Sequence, residues 1–254
     1  MMPFPFLEGA DPFGYVLHHN MDASMGPLGL TKFTLNMMLS SVVLILMVLA
    51  AKKSTLMPTG FLRNIFEAIF LFVRDEMVAP SMNAKDAKKF MPFFVTVFLF
   101  ILTMNLMGMV PLPYIGGAAT SQLSLTIPLA VMITLISLIG GIMANGVGGF
   151  LKSFVPSGLP AAVVPLIFVL EIISFVIKHG VLAIRLMANM LGGHLVVGSF
   201  IALISIFESY GMAAFSVPMI LFINLIEVLV SFLQAYVFTL LAIMFIGSSL
   251  HPDH

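Results

Sequence analysis

The sequence predicts an all-α, polytopic membrane protein with about five membrane helices and one amphipathic helix lying in the interface. Three observations carry that prediction. Apolar runs of about 20 residues or more recur, enough for a helix to cross a hydrocarbon layer about 30 Å thick. Only 9% of the 254 residues are charged against 60% hydrophobic, whereas soluble domains are roughly 25% charged. Basic side chains collect at the ends of the apolar runs, and no stretch shows the alternating ten-residue pattern of an outer-membrane barrel. One membrane domain is expected over residues 1–254.

Composition also excludes chemistry. With no cysteine, disulfides, thiolate metal sites and cysteine nucleophiles are ruled out. The formal net charge is zero, so there is no basic field to hold nucleic acid. No cofactor or metal is expected, and no internal repeat or low-complexity tract is seen.

Residues 1–32 read as an external, uncleaved N-terminal arm. Glu8, Asp11 and Asp22 precede the first basic residue, Lys32, so the basic start of a signal peptide is missing. The first span, 33–51, stops at Lys52-Lys53, a pair that belongs on the cytoplasmic side. Residues 52–90 form a cytoplasmic interfacial segment. Within it Pro58 opens a helix to about 80, with Arg63, Glu67 and Arg74 on one face and Phe66, Ile69, Phe70 and Val73 filling the rest. That pattern suits a helix at the membrane surface; a solvated helix would expose too many phenylalanines.

Residues 91–146 hold two spans. One covers about 93–110, entered past Lys85, Lys88 and Lys89 and closed by the Pro111-Leu-Pro113 turn. The other covers about 123–144, with Pro128 near its outer end, glycines near its inner end and Lys152 beyond. This topology places eight basic residues inside (Lys52, Lys53, Arg63, Arg74, Lys85, Lys88, Lys89, Lys152) and Lys32 alone outside, as the positive-inside rule requires.

Residues 160–250 are the last two segments, 160–207 and 212–250, each about twice the ~20 residues a perpendicular helix needs. Each is one strongly tilted helix or a broken pair; Lys178-His179-Gly180 and Gly192-Gly193 would suit a kink. Glu171, Lys178 and Arg185 are seven apart and share a helical face, with Asn189 close by. His194 points the opposite way on a straight helix. Glu227 and Gln234, again seven apart, make a second stripe.

Arg185 is the centre of this arrangement. A charge near the bilayer midplane costs roughly 2.5–3.5 kcal/mol on insertion scales, and a guanidinium cannot shed its proton. It either snorkels to the headgroups from a short helix or meets water, an acid or another chain; apolar sequence running more than a turn on both sides favours the second. By the topology, Glu171 lies near the cytoplasmic end, Arg185 at mid-depth and His194 toward the outside. Glu227 approaches from outside and Gln234 reaches the depth of Arg185. His194 and Glu227 are either a proton relay titrating near neutral pH or a hydrogen-bonded pair joining two helices, and Asn189 and Gln234 either line the path or act as polar glue. Tyr236 and the methionines are read as packing.

The run Ile184-Arg-Leu-Met-Ala-Asn-Met-Leu-Gly-Gly-His194, with Phe232-Leu-Gln-Ala-Tyr-Val-Phe238 about forty positions on, resembles subunit a of F-type ATP synthases. Asn105-Leu-Met-Gly-Met-Val-Pro111, Phe154-Val-Pro-Ser-Gly158 and the spacing of Glu171 and Lys178 before Arg185 add to it; the first 90 residues match only in layout. The resemblance implies that Arg185 separates two proton half-channels and faces the ring of subunit c. It implies that Asn189, His194, Glu227 and Gln234 line the outer half-channel, and that Glu171 and Lys178 belong to the cytoplasmic one. It also implies that the last two helices are long, strongly tilted and wrapped against the ring. Many bacterial relatives carry an acid where this chain has His194 and a histidine where it has Glu227, so the pair is kept with its order exchanged. A ring carboxylate would be the counter-charge of Arg185, since Glu171 is about 21 Å away along the helix.

The implied protein is a non-catalytic, ion-conducting stator subunit with no cofactor; a histidine relay favours H⁺, with Na⁺ left open because ion choice resides largely in the ring. Its implied partners are the subunit c ring, subunit b of the peripheral stalk, the other ATP synthase subunits and the lipid bilayer. The tail Leu250-His-Pro-Asp-His254 favours a bacterial inner membrane over a mitochondrial one. Two rivals stand beside this reading. A self-contained secondary transporter would use Arg185 to bind an anionic substrate, but such folds show paired repeats; a structural scaffold would have no use for Arg185.

Overall fold

The computed structural model describes residues 24–25, 30–51, 61–110, 119–152, 163–207 and 209–251. Several expected features lie outside the described residues: most of the N-terminal arm, Lys52-Lys53, Pro58, the Pro111-Leu-Pro113 turn, the 154–158 run and the chain beyond His251. The described residues are mainly helical. α1 is Lys32–Ala51, α2 Phe61–Phe72, α3 Ala84–Met109, α4 Leu123–Lys152, α5 Val164–Phe207 and α6 Tyr210–Leu250. Two strands of two residues each, β1 (Ser24–Met25) and β2 (Leu30–Thr31), pair antiparallel just before α1.

α3, α4, α5 and α6 are long and apolar enough to cross a membrane. α1 adds a shorter apolar stretch, Phe33–Leu49, at the short edge of the roughly 17–25 residues a span uses. The chain is thus an all-α, multi-pass membrane protein. α5 and α6, of 44 and 41 residues, are about 66 and 62 Å long at about 1.5 Å per residue, twice a hydrocarbon layer. Each is one continuous helix, and neither glycine cluster of α5 breaks it.

Three details depart from simple periodicity. α3 begins at Ala84, nine residues before the expected span, and carries Pro92 inside it. Proline removes one backbone bond, but Pro92 lies on the exposed side, where the Thr96 hydroxyl donates to its carbonyl at 2.7 Å. A π-helical turn over Val73–Val78 follows α2, with the Ala79 N–H donating to the Arg74 carbonyl at 2.9 Å. The turn has the wider i→i+5 ring, and Val73, Met77 and Val78 within it are buried. Exposed Arg74 pairs with Asp75 at 2.7 Å, and its hydrogen bond holds the Asp75 carboxyl below the usual carboxylate range. Finally, α4 kinks at Gly146, whose φ of 71° and ψ of 164° belong to a region open essentially to glycine alone; the kink falls where the third span was expected to end.

Two compact units divide the chain. The first comprises Met1–Ile45, Phe100–Gln122 and Met187–Gln234, the second Leu46–Leu99, Leu123–Leu186 and Ala235–His254. In the first, Phe33, Ile101, Met104 and Met190 are buried together with polar Asn36, Ser40, Asn105, Thr120 and Ser231. In the second, Phe94, Phe98, Ile133, Phe238, Ile243 and Ile246 form the core, and the Phe72 ring lies 6.1 Å from Phe98 and 5.9 Å from Tyr236, the packing role expected of Tyr236.

The end of α6 is tied into the second unit by polar contacts. The Ser137 hydroxyl donates to the Phe245 carbonyl at 2.9 Å and lies 2.6 Å from the Ser249 hydroxyl. Asn145 Nδ2 donates to the carbonyls of Ser249 and Leu250 at 3.1 and 3.3 Å, among those a helix end leaves unpaired. Past the helix, His251 Nε2 lies 2.7 Å from Asp86 Oδ2. Gly146→Ala should lower stability in detergent by about 1–3 kcal/mol, the cost of a strained backbone. Gly148→Ala, with nothing within 4 Å of the added methyl, should leave the same unfolding midpoint unchanged or slightly raised.

Candidate functional site

The first unit contains four of the residues that the sequence singled out: Asn189 and His194 on α5, Glu227 and Gln234 on α6. Their stripes meet there. Asn189 Nδ2 donates to Gln234 Oε1 at 2.6 Å across 45 positions of sequence. Gln234 is 3% exposed, and its Nε2 has no hydrogen-bond partner among the described residues. A buried amide normally uses all its donors, so this one presents unspent hydrogen-bonding capacity at the meeting point.

Seven residues earlier on α6, the Glu227 carboxylate lies against the α5 backbone at Gly193. A Cβ built on Gly193 would fall inside it, 2.8 Å from Cδ and 3.0 Å from Cγ. The acid is therefore seated beside the residue preceding His194, and both Glu227 and His194 are half-buried. Glu227 Oε1 has no hydrogen-bond partner among the described residues. Gly193, expected only as part of a kink, serves a close approach of side chain to backbone; Gly192 beside it has nothing within 4 Å.

Sequence reasoning passed over Ser231, four residues after Glu227 and three before Gln234. Those spacings put the three on one face, and the stripe itself was the missed signal. Ser231 is fully buried, its hydroxyl 3.6 Å from Met109 Sδ and 3.9 Å from Met190 Sδ. Its carbonyl accepts from Asn105 Nδ2 at 3.4 Å, while Asn105 Oδ1 accepts from the Thr120 hydroxyl at 2.7 Å. Asn105 was noticed only as part of a motif.

The second unit contains Glu171, Lys178 and Arg185. Lys178 Nζ lies 3.5 Å from Glu171 Oε1 with both side chains about half exposed, so the seven-residue spacing does bring these two together. Arg185 is exposed, whereas Leu182, Ala183 and Leu186 around it are buried. Its side chain is thus on the outward face of α5. Among the described residues no acid lies within ion-pair distance of it, and no group of three or more His, Cys, Asp or Glu is placed to hold a metal ion.

The model of the family described as ATP synthase A chain matches residues 34–247. The chain belongs to this family. The match reaches well into the stretch whose likeness was only one of layout, and the resemblance on the 184–194 and 232–238 runs holds. Similar proteins include the ATP synthase subunit a of Maricaulis maris (strain MCS10), 37% identical over 237 residues that cover 89% of this chain and 91% of the relative. That of Myxococcus xanthus (strain DK1622) is 37% identical over 89% of this chain and 76% of its own length. That of Anaeromyxobacter sp. (strain Fw109-5) is 37% identical over 96% of this chain and 61% of its own. The chain spans about three fifths of the length of the Anaeromyxobacter relatives it matches.

Gly193→Ala sets a methyl against the end of a flexible side chain, so the carboxylate swings aside at a cost near the low end of overpacking, about 1 kcal/mol. In the double variant Gly193→Ala/Glu227→Ala that penalty should vanish, a coupling readable from the unfolding midpoints of the four proteins. Gly192→Ala should not show it.

Proposed function

We propose that this chain is the proton-conducting stator subunit of a rotary F-type ATP synthase. Protons enter from the outer face by a half-channel lined by Asn189, His194, Glu227 and Gln234, and pass to a carboxylate on a ring of subunit c. After nearly a full rotation they leave by a cytoplasmic half-channel past Glu171 and Lys178. Arg185 separates the two paths. The observation that carries the reading is Arg185 itself, a permanent cation on the outward face of an apolar helix with no acid in reach among the described residues. A carboxylate on a neighbouring subunit supplies the missing charge.

Other observations support it. The two amides of the outer path are hydrogen-bonded, and Glu227 is seated beside the residue preceding His194. Oε1 of Glu227 and Nε2 of Gln234, buried without partners among the described residues, are groups that protons or water can engage. The driving force is the field, about 2.3 kcal/mol per charge per 100 mV. Arg185 repels a proton crossing directly and favours the deprotonated ring carboxylate, and no bond is made or broken, so the chain is not an enzyme by itself. Subunit b of the peripheral stalk, the remaining synthase subunits and a bacterial inner membrane complete the assignment, in keeping with relatives from bacteria.

In membrane vesicles containing the whole complex, Arg185→Ala should abolish ATP-driven proton pumping while assembly persists. Passive proton leak should rise in the same vesicles, because the fixed charge that repels a direct crossing is gone. Arg185→Lys should fail as well, because a compact ammonium lacks the planar fork; normal coupling in either variant removes the assignment. Exchanging His194 and Glu227 should restore more pumping than either single change to alanine. An exchange no better than the singles would mark the pair as structural.

A further inference from the structure

The turn of α6 that carries Glu227, Ser231 and Gln234 has a weakness in its packing. The side chains meeting Ser231 are the thioethers of Met109 and Met190, at 3.6 and 3.9 Å. Methionine is unbranched and adaptable, so these contacts tolerate sliding and rotation of the helix. Glu227 and Gln234 tolerate neither, because one seats its carboxylate against Gly193 and the other meets Asn189 at 2.6 Å. A directional contact is needed here, and one is present. Asn105, with no exposed surface, donates from Nδ2 to the Ser231 carbonyl at 3.4 Å. That carbonyl also serves the helix, and a carbonyl oxygen has a second lone pair to offer.

An asparagine amide can turn over and present oxygen where nitrogen should be. The Ser231 carbonyl opposes it, because a carbonyl only accepts. The Thr120 hydroxyl, 1% exposed, donates to Asn105 Oδ1 at 2.7 Å and anchors the other end of the amide. All three groups belong to the first unit, on α3, on the short 3-10 turn Ala119–Ser121 and on α6.

We propose that Asn105, anchored by Thr120, is a positioning residue that fixes the height and rotation of the α6 turn bearing Glu227 and Gln234. It carries no proton; it acts through the Ser231 carbonyl. The proposal rests on the relay reading of Glu227 and Gln234 given above. Buried polar contacts that set the register of packed helices are the best-attested use of such groups.

The test uses the complete synthase in membrane vesicles, with Asn105→Leu, Thr120→Val, Thr120→Ser and Glu227→Ala compared with the unaltered protein. Passive proton conduction is measured per assembled complex as a function of pH. Displacing a working group by about 1 Å can cost up to 10²-fold, so Asn105→Leu and Thr120→Val are each expected to slow conduction about tenfold and to shift its pH profile. Thr120→Ser, which keeps the donor, should return close to the original rate and profile. Because the two residues act as one device, Asn105→Leu/Thr120→Val should be no slower than the worse single variant. If Asn105→Leu does not assemble, the Thr120→Val and Thr120→Ser comparison decides by itself. Conduction at the original rate and profile in Thr120→Val overturns the proposal, as does a loss of complex with an unchanged rate per complex, or additive losses in the double variant. Glu227→Ala separates the two levels: if it alone stops conduction, only the positioning role falls, and if it too conducts normally, the relay reading falls with it.

Discussion

Inside a hydrocarbon layer a polar side chain has no water to turn to, and the arrangement of α5 and α6 follows from that constraint. Two stripes of polar groups on two apolar helices would each be costly alone. In the first unit they meet: an amide donates to an amide at 2.6 Å, and a carboxylate occupies the gap left by a residue without a side chain. Interhelical bonds of this sort are worth about 0.6 kcal/mol each on average in membranes, too little to hold long helices together. Their value lies in direction, since they specify one register among the many that leucine, isoleucine and methionine would accept.

The same constraint separates Arg185 from the rest. Glu171 and Lys178 answer each other at 3.5 Å, and an exposed pair of this kind contributes roughly 0–1 kcal/mol. Arg185, two further turns along α5, has no such answer from the described residues. A guanidinium on the outward face of an apolar helix fits the proposal that a neighbouring subunit supplies its counter-charge. Membership of the ATP synthase A chain family over residues 34–247 is consistent with that proposal.

The polar contacts elsewhere show how the framework is kept in order. Asn145 takes up the last carbonyls of α6, and Ser137 and Ser249 meet a few residues away. At the other end of the second unit's part of α6, the Tyr236 ring packs at a tilt against Phe72. Amide and hydroxyl side chains thus recur where one helix must be held at a particular height against another, and apolar side chains fill the intervals.

By itself the sequence determined the order and type of the helices, because runs of about 20 apolar residues and their basic ends are local facts; that each of the last two runs is one helix rather than a broken pair came from the structure. It also determined which residues share a face, since Glu171 with Lys178 and Glu227 with Gln234 are fixed by helical period alone. Tertiary structure alone decided the rest. The Asn189–Gln234 bond joins residues 45 positions apart and the Asn105–Ser231 bond residues 126 apart, and no periodicity reports such distances. That Gly193 makes room for Glu227 rather than bending α5, that a π turn follows α2, and that Gly146 rather than a proline bends α4 are outcomes of what each backbone meets. A glycine records only the absence of a side chain, and what fills the space is set by another part of the chain.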